Sequence, residues 1–198
     1  MKYKLTGTST GSPVARSRTL QKSRCILYTD LQLASMSKLP RVLHICKHIL
    51  TQHPVYSIAL WHLGTPIQPS DTISYAKIVA QGYDAAVGLS ATVAGWGNTA
   101  QNQTVEGSAS LRWVKVPIAS RLDCNIYGQT TANELCAGGE EGRGSCPNDS
   151  GSPIWDAETG EVMGTVHSGG GCGLKGVPIL YTNLGTMSDW VLQNIWSA

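Results

Sequence analysis

Residues 144–153 read Gly-Ser-Cys-Pro-Asn-Asp-Ser-Gly-Ser-Pro, and this stretch is the most informative in the chain. It places Ser150 between an acid, Asp149, and a glycine, with Cys146 four residues upstream. A serine becomes a nucleophile when a tight turn exposes its hydroxyl and backbone N–H groups converge on the reacting carbonyl. The small residues around Ser150 allow such a turn, so we predict a nucleophile loop here.

The sequence on both sides of this loop is typical of a β protein. Short apolar segments are separated by glycine-rich turns, as in a barrel or sandwich, and 17 of the 22 glycines fall in residues 93–198. We predict strands over 56–61, 91–95, 110–118, 153–156, 161–167 and 179–184. An amphipathic helix over 188–196, capped by Ser188, is predicted to close the chain.

The loop resembles the nucleophile loop of the chymotrypsin/trypsin-like serine endopeptidases (peptidase S1), which usually reads D-S-C-Q-G-D-S-G-G-P. Residues 94–97 are similar to the family's G-W-G strand end, residues 111–118 to its L-x-x-V-x-V-P-I strand and residues 181–184 to its last strand. The resemblance implies an all-β, chymotrypsin-like fold that ends in a helix. It also implies the inherited activity of a serine endopeptidase.

Charge divides the chain into two unlike parts. Residues 1–50 carry nine Lys or Arg and one acid, whereas the remaining 148 residues carry six bases and twelve acids. We interpret residues 1–48 as a basic, poorly ordered or non-homologous segment. The resemblance implies that residues 49–89 are a remnant of the first barrel together with the inter-barrel connector. Residues 90–198 are expected to form a complete C-terminal barrel, with an incomplete N-terminal barrel before it.

Six cysteines allow fifteen pairings, so the count alone leaves the connectivity open. The resemblance implies Cys124–Cys136 and Cys146–Cys172, and each bridge is expected to stabilise the fold by roughly 3 kcal/mol. Disulfides indicate an oxidising, extracellular compartment, although no signal peptide is visible at the N-terminus.

The catalytic residues implied by the resemblance are incomplete. Ser150 occupies the nucleophile position, and the N–H groups of Asn148 and Ser150 would form the oxyanion hole. The family histidine belongs to a T-A-A-H-C motif that is missing here, and Ser57 stands where the D-I-A-L strand begins with aspartate. A serine hydroxyl cannot supply the charge that stabilises an imidazolium. We therefore expect no activity; the alternatives are a non-catalytic binding module or the product of a mis-assembled gene model.

The nucleophile loop lacks two of the family's glycines and the partner of its aspartate. Asn148 and Ser152 replace glycines, and Asp149 lacks the I-V-G-G N-terminus that pairs with it in the family. A buried, unpaired carboxylate is costly, so we expect a loose, zymogen-like loop.

The residues that would form the substrate pocket indicate a small apolar guest. Gly144 stands where trypsin-type enzymes carry an aspartate, which argues against a preference for Lys or Arg. Gly169 would line the mouth of the pocket, and Ile179 would narrow it at a position where many members have glycine. His167 and Ser168 replace the usual S-W of the wall that holds the substrate backbone.

The sequence favours a monomer that binds a peptide or protein, with no cofactor or metal. Cys25, His44, Cys46, His48 and His53 suggest zinc, but their spacings fit no standard finger. The basic N-terminal segment lacks the aromatic residues that stack on bases, which argues against nucleic acid. No apolar run is long enough for a membrane span.

Overall fold

The computed structural model describes residues 25–28, 58–62, 68–71, 73–101 and 107–195; for 25–28, 59, 61, 62 and 195 the description concerns the backbone. Eight strands lie within these residues: β1 Cys25–Tyr28, β2 Ala59–His62, β3 Ser90–Gly95, β4 Arg112–Pro117, β5 Glu134–Gly138, β6 Pro153–Asp156, β7 Val162–Ser168 and β8 Pro178–Asn183. Helix α1, Ser188–Ile195, follows them. Among the described helices, none is both long and apolar enough to cross a bilayer.

Six strands form an antiparallel sheet in the order β4-β3-β6-β7-β8-β5. The two edges of this sheet meet, because Ile118, just beyond β4, bridges Ala137 of β5. The sheet therefore curls into a barrel-like body, as an all-β, chymotrypsin-like fold requires. β1 and β2 form a separate antiparallel pair, with Ile26 opposite Trp61.

The core lies inside the curled sheet. Five consecutive residues of β3 and all six of β8 are buried, which is the pattern of strands covered on both faces. Tyr181, Ile154, Val93, Val116 and Leu135 pack in one cluster. Ile58 and Val79, which precede the sheet in the chain, are buried in the same cluster. The segment before residue 90 thus contributes to the core of the sheet.

Both expected disulfides are present, Cys124–Cys136 and Cys146–Cys172. The first bridge encloses most of a 3-10 helix, Arg121–Tyr127. Ser120 caps this helix: its hydroxyl accepts the Leu122 N–H, and the Asp123 carboxylate accepts the Ser120 N–H in return.

Several elements differ from the sequence predictions. β5 was not predicted. It pairs with β8 along its whole length and forms the sheet edge that meets Ile118, just beyond β4. β1 lies in a stretch without a clear sequence period. Ser188 was wrongly predicted to cap α1. Its buried hydroxyl oxygen lies 2.6 Å from the Val79 carbonyl oxygen and 2.7 Å from that of Leu184, and its single proton is shared between these two acceptors, because Ser188 lies at a junction of two segments rather than at a solvated helix end.

Candidate active site

The turn that carries Ser150 is attached to β7. The Gly151 N–H donates to the Val166 carbonyl, and the Val166 N–H donates to the Ser152 carbonyl, both at 2.8 Å. Gly151 has a φ of 81°, in the left-handed region where glycine carries no steric penalty. The turn therefore holds Ser150 at the surface, where its side chain is half-buried.

Asn148 has a φ of 73°, and among the described residues it is the one non-glycine with a positive φ. Asparagine tolerates this region better than most side chains. Neither the Asn148 N–H nor the Ser150 N–H donates a hydrogen bond to a described residue. Both are the donors that the family resemblance assigns to an oxyanion.

The carboxylate of Asp149 is buried behind this turn, with 8% of the residue exposed. It accepts the Gly97 N–H at 2.7 Å and the Cys146 N–H at 3.0 Å. Burial raises the pKa of Asp149, and the two N–H donors oppose that shift. Among the described residues no cation pairs with it, so backbone donors provide the compensation in this state.

A cavity of about 520 Å³ opens beside Asp149. Its walls come from the end of β3, the segment after it and the nucleophile loop, and include Gly97, Asn98, Trp113, Cys146 and Gly173. Trp113 is one of the most exposed large apolar residues, at 67%. The carboxylate thus borders an open, partly apolar space.

Three residues of the expected substrate pocket come together around one side chain. A Cβ on Gly144 would lie 3.9 Å from Ile179 Cγ1, and a Cβ on Gly169 would overlap Ile179 Cδ1. Ile179 itself is only 3% exposed. Its side chain therefore occupies the space between the two glycines.

A buried hydroxyl pair lies next to this pocket. The Ser145 and Tyr181 hydroxyls are 3.0 Å apart, and both residues are buried. Burial is the main cause that raises the pKa of Tyr181. Because the phenol stays neutral, the pair supplies polarity beside Gly144 but no charge to attract a Lys or Arg side chain.

His167 and Ser168 lie at the end of β7, where the pairing with β8 slips. Val166 pairs with Tyr181 but Ser168 pairs with Leu180, so His167 is the extra residue of a bulge. A bulge redirects side chains near a strand end. The His167 ring makes no hydrogen bond to a described residue.

The remaining predicted positions lie outside the part of the chain whose side chains are described. These are Ser57 and the residues of the zinc hypothesis, Cys25, His44, Cys46, His48 and His53. The roles of Ser57 and of a base for Ser150 therefore stay predictions.

Three site residues were missed by the sequence reasoning. Asn98 accepts from the Asn148 side chain, Gln101 accepts from the Cys172 N–H, and Tyr127 joins Gly170 to Pro178. Tyr127 accepts the Gly170 N–H at 2.8 Å and donates to the Pro178 carbonyl at 2.9 Å. No local pattern marks these residues, since each acts across 43 or more positions of sequence.

The chain is similar in sequence to one protein family and to several known proteins. The family model described as Trypsin matches residues 35–191. The anionic trypsin of Bos taurus is 34% identical over 156 residues, covering 74% of this chain and 61% of the relative. Trypsin II-P29 of Gallus gallus is 33% identical over 157 residues with the same coverage. Phenoloxidase-activating factor 1 of Holotrichia diomphalia is 30% identical and covered over 43% of its length. The chain thus spans about 61% of the first two relatives.

Proposed function

The chain belongs to the trypsin family, and we propose that it carries a serine-endopeptidase-type site at Ser150 that binds peptides but is not activated to cleave them. The observation that best supports this proposal is the conformation of the nucleophile turn. Asn148 takes a left-handed φ of 73°, and its N–H and that of Ser150 are unoccupied by described residues.

In an activated site of this kind, the Ser150 hydroxyl attacks the peptide carbonyl carbon, and its proton passes to a base. The carbonyl oxygen becomes an oxyanion, held by the Asn148 and Ser150 N–H groups. One such donor contributes about 3 kcal/mol to transition-state stabilisation. The leaving amine then takes the proton from the base, which leaves an acyl-serine for water to hydrolyse.

The missing step is the first proton transfer. No T-A-A-H-C motif supplies the histidine, and Ser57 replaces the family aspartate. In enzymes of this mechanism, loss of the nucleophile or its histidine lowers turnover by about 10⁶-fold. An oxyanion hole and substrate binding alone retain about 10³-fold over water. We expect this residual level and no more.

The ligand proposed for this site is an extended peptide with a small apolar side chain at the pocket. Ile179 fills the space between Gly144 and Gly169, and no acid stands at Gly144 to attract a cation. The two disulfides support an extracellular, oxidising location. We propose that the chain acts there as a monomer.

A non-catalytic binding module is the second candidate. The observation that favours it is the serine at position 57, which removes the orienting charge even if another histidine approached Ser150. The two candidates share the peptide site: the first keeps a slow, residual reaction at Ser150, and the second has none.

Peptide binding tests the shared part of the proposal. Three tripeptide anilides that end in alanine, leucine or lysine are titrated into the oxidised full chain, with calorimetric detection. We expect the alanine peptide to bind tightest and the lysine peptide weakest. Binding of none of them would remove the peptide site, and a preference for lysine would remove the pocket assignment.

A further inference from the structure

We propose that Asn98 is a positioning residue that keeps the oxyanion-binding turn in shape through the side chain of Asn148. This inference rests on the proposed function, because it concerns the N–H groups assigned to the oxyanion. It concerns a residue outside the nucleophile loop that no sequence motif marks.

Asn98 contacts two consecutive residues of the nucleophile loop, one through its side chain and one through its backbone. Its side-chain oxygen accepts the Asn148 Nδ2–H at 3.0 Å, and its backbone N–H donates to the Pro147 carbonyl at 2.9 Å. The same side-chain oxygen also accepts the Gly107 N–H at 2.8 Å. One carbonyl oxygen thus ties the nucleophile loop to the segment that precedes β4.

These contacts involve the one non-glycine residue with a positive φ in the described part of the chain. An asparagine at φ 73° has an alternative, the ordinary negative-φ region, which a β-carbon favours. A change of φ and of the adjoining peptide plane would redirect the N–H groups around residue 148. Because Asn98 fixes the Asn148 amide in space, it selects the left-handed conformation and keeps these N–H groups pointed at the site.

A second contact from the same segment reaches the opposite wall of the site. Gln101 Oε1 accepts the Cys172 N–H at 2.8 Å, three residues beyond Gly169. Residues 98–101 therefore hold the nucleophile loop through Asn98. Through Gln101 they hold the glycine-rich wall, which we define as residues 169–173. We infer that this short segment braces both sides of the peptide site.

The test uses five variants of the full, oxidised chain, one of which is Asn148→Gly alone. Asn98→Ala removes the acceptor, Asn98→Asp keeps an acceptor oxygen in the same place, and Gln129→Ala removes an exposed amide elsewhere. Asn98→Ala is also made in an Asn148→Gly background, where glycine adopts positive φ without help. The readouts are the backbone chemical shifts of residue 148, which report its φ, and the rate of 4-nitrophenyl ester hydrolysis. Thermal melts confirm that each variant folds.

We expect Asn98→Ala to move residue 148 out of the left-handed region and to lower ester hydrolysis roughly three- to tenfold, the worth of one hydrogen bond. Gln129→Ala should keep both readouts, and Asn98→Asp should keep the shifts of residue 148, because its oxygen still accepts from the Asn148 side chain. In the Asn148→Gly background, Asn98→Ala should have no further effect on the rate.

The inference is overturned if Asn98→Ala leaves the shifts of residue 148 unchanged, or lowers the rate equally in the Asn148→Gly background. The second result would mean that Asn98 acts through Pro147 or Gly107 instead. If the unaltered chain hydrolyses no ester above the background reaction, the first candidate of the proposed function fails and the binding module remains, while the shifts of residue 148 still decide the inference.

Discussion

Gly97 donates its N–H to the Asp149 carboxylate at 2.7 Å, and because Gly97 has no side chain, the carboxylate can lie directly against it. A Cβ on Gly97 would overlap the carboxylate carbon, and one on Gly95 would overlap Oδ1. The G-W-G strand end and the acid before the nucleophile are therefore one packing unit. The glycines of this motif are required by Asp149 rather than by a turn.

Replacement of Gly97 by alanine tests this packing unit. The methyl group collides with the carboxylate, so Asp149 must move and lose its N–H donors; we expect a loss of roughly 1–3 kcal/mol in the free energy of unfolding. Urea denaturation measures it. Gly160→Ala is the comparison variant: its cost comes from backbone strain at φ 73° with no atom near the new methyl group, so it should leave Asp149 and its N–H donors in place. Equal stability of Gly97→Ala and the parent chain would contradict the account.

The pH dependence of stability should reflect the Asp149 carboxyl. Burial raises its pKa above 3.8, so between 3.8 and the folded-state pKa the folded chain holds a proton that the unfolded chain has released. The free energy of unfolding contributed by this group therefore falls as pH rises through that window. Asp149→Asn should remove this slope in urea melts taken between about pH 4 and 7.

Asp84 is a control, because its pKa is shifted in the opposite direction to that of Asp149. Its hydrogen bond from Arg121 lowers the pKa of Asp84, so its stabilisation is present above 3.8 and is lost as pH falls through the lower folded-state pKa. The side chain is largely exposed, so this effect should be small. If Asp149→Asn and Asp84→Asn changed the slope in the same direction, the burial argument for Asp149 would be wrong.

Ile179→Ala should widen the substrate pocket. Removal of this buried side chain costs about 2–5 kcal/mol of stability, and peptides that end in leucine should gain affinity relative to those that end in alanine. Leu180→Ala is a matched control: Leu180 is also buried, but it packs with Cys124 and Cys136. It should cost similar stability and leave the peptide preference unchanged. The same shift in both variants would refute the pocket assignment.

The two disulfides should differ in their effect on the site. Paired replacement of Cys124 and Cys136 by alanine should cost about 3 kcal/mol, and that of Cys146 and Cys172 slightly more, because the second loop is longer. Only the second pair joins the nucleophile loop to the glycine-rich wall. Hydrogen exchange of residues 144–152 and 169–173 should therefore accelerate only when that pair is removed.

The sequence predictions were correct where the signal lies within a short stretch of the chain. The strands around residues 91–95 and 153–156 and the all-β class were predicted from apolar alternation and glycine turns, which are local signals, whereas both disulfides were implied by the family resemblance. β5 was missed because Glu134–Gly138 contains two small residues and derives its order from pairing with β8.

The sequence predicts site residues at the nucleophile loop but not the residues that hold this loop in place. Ser150, Asn148 and Gly144 are predicted from that one resembling stretch, and Gly169 from the glycine-rich run before Cys172. Asn98, Gln101 and Tyr127 act through hydrogen bonds that the fold creates between distant segments. An amide in a loop has the same local sequence signature whether it braces a site or faces water, so only coordinates separate the two.

Reactivity of Ser150 toward a fluorophosphonate probe tests the central claim most directly. The oxidised full chain and its Ser150→Ala variant are treated with the probe, and the labelled residue is identified by mass spectrometry. The account predicts labelling of Ser150 at least about 10⁴-fold slower than in a complete trypsin-family enzyme, because no base removes its proton. Labelling at the rate of a complete enzyme, abolished by Ser150→Ala, would show that the hydroxyl is activated and would contradict the claim.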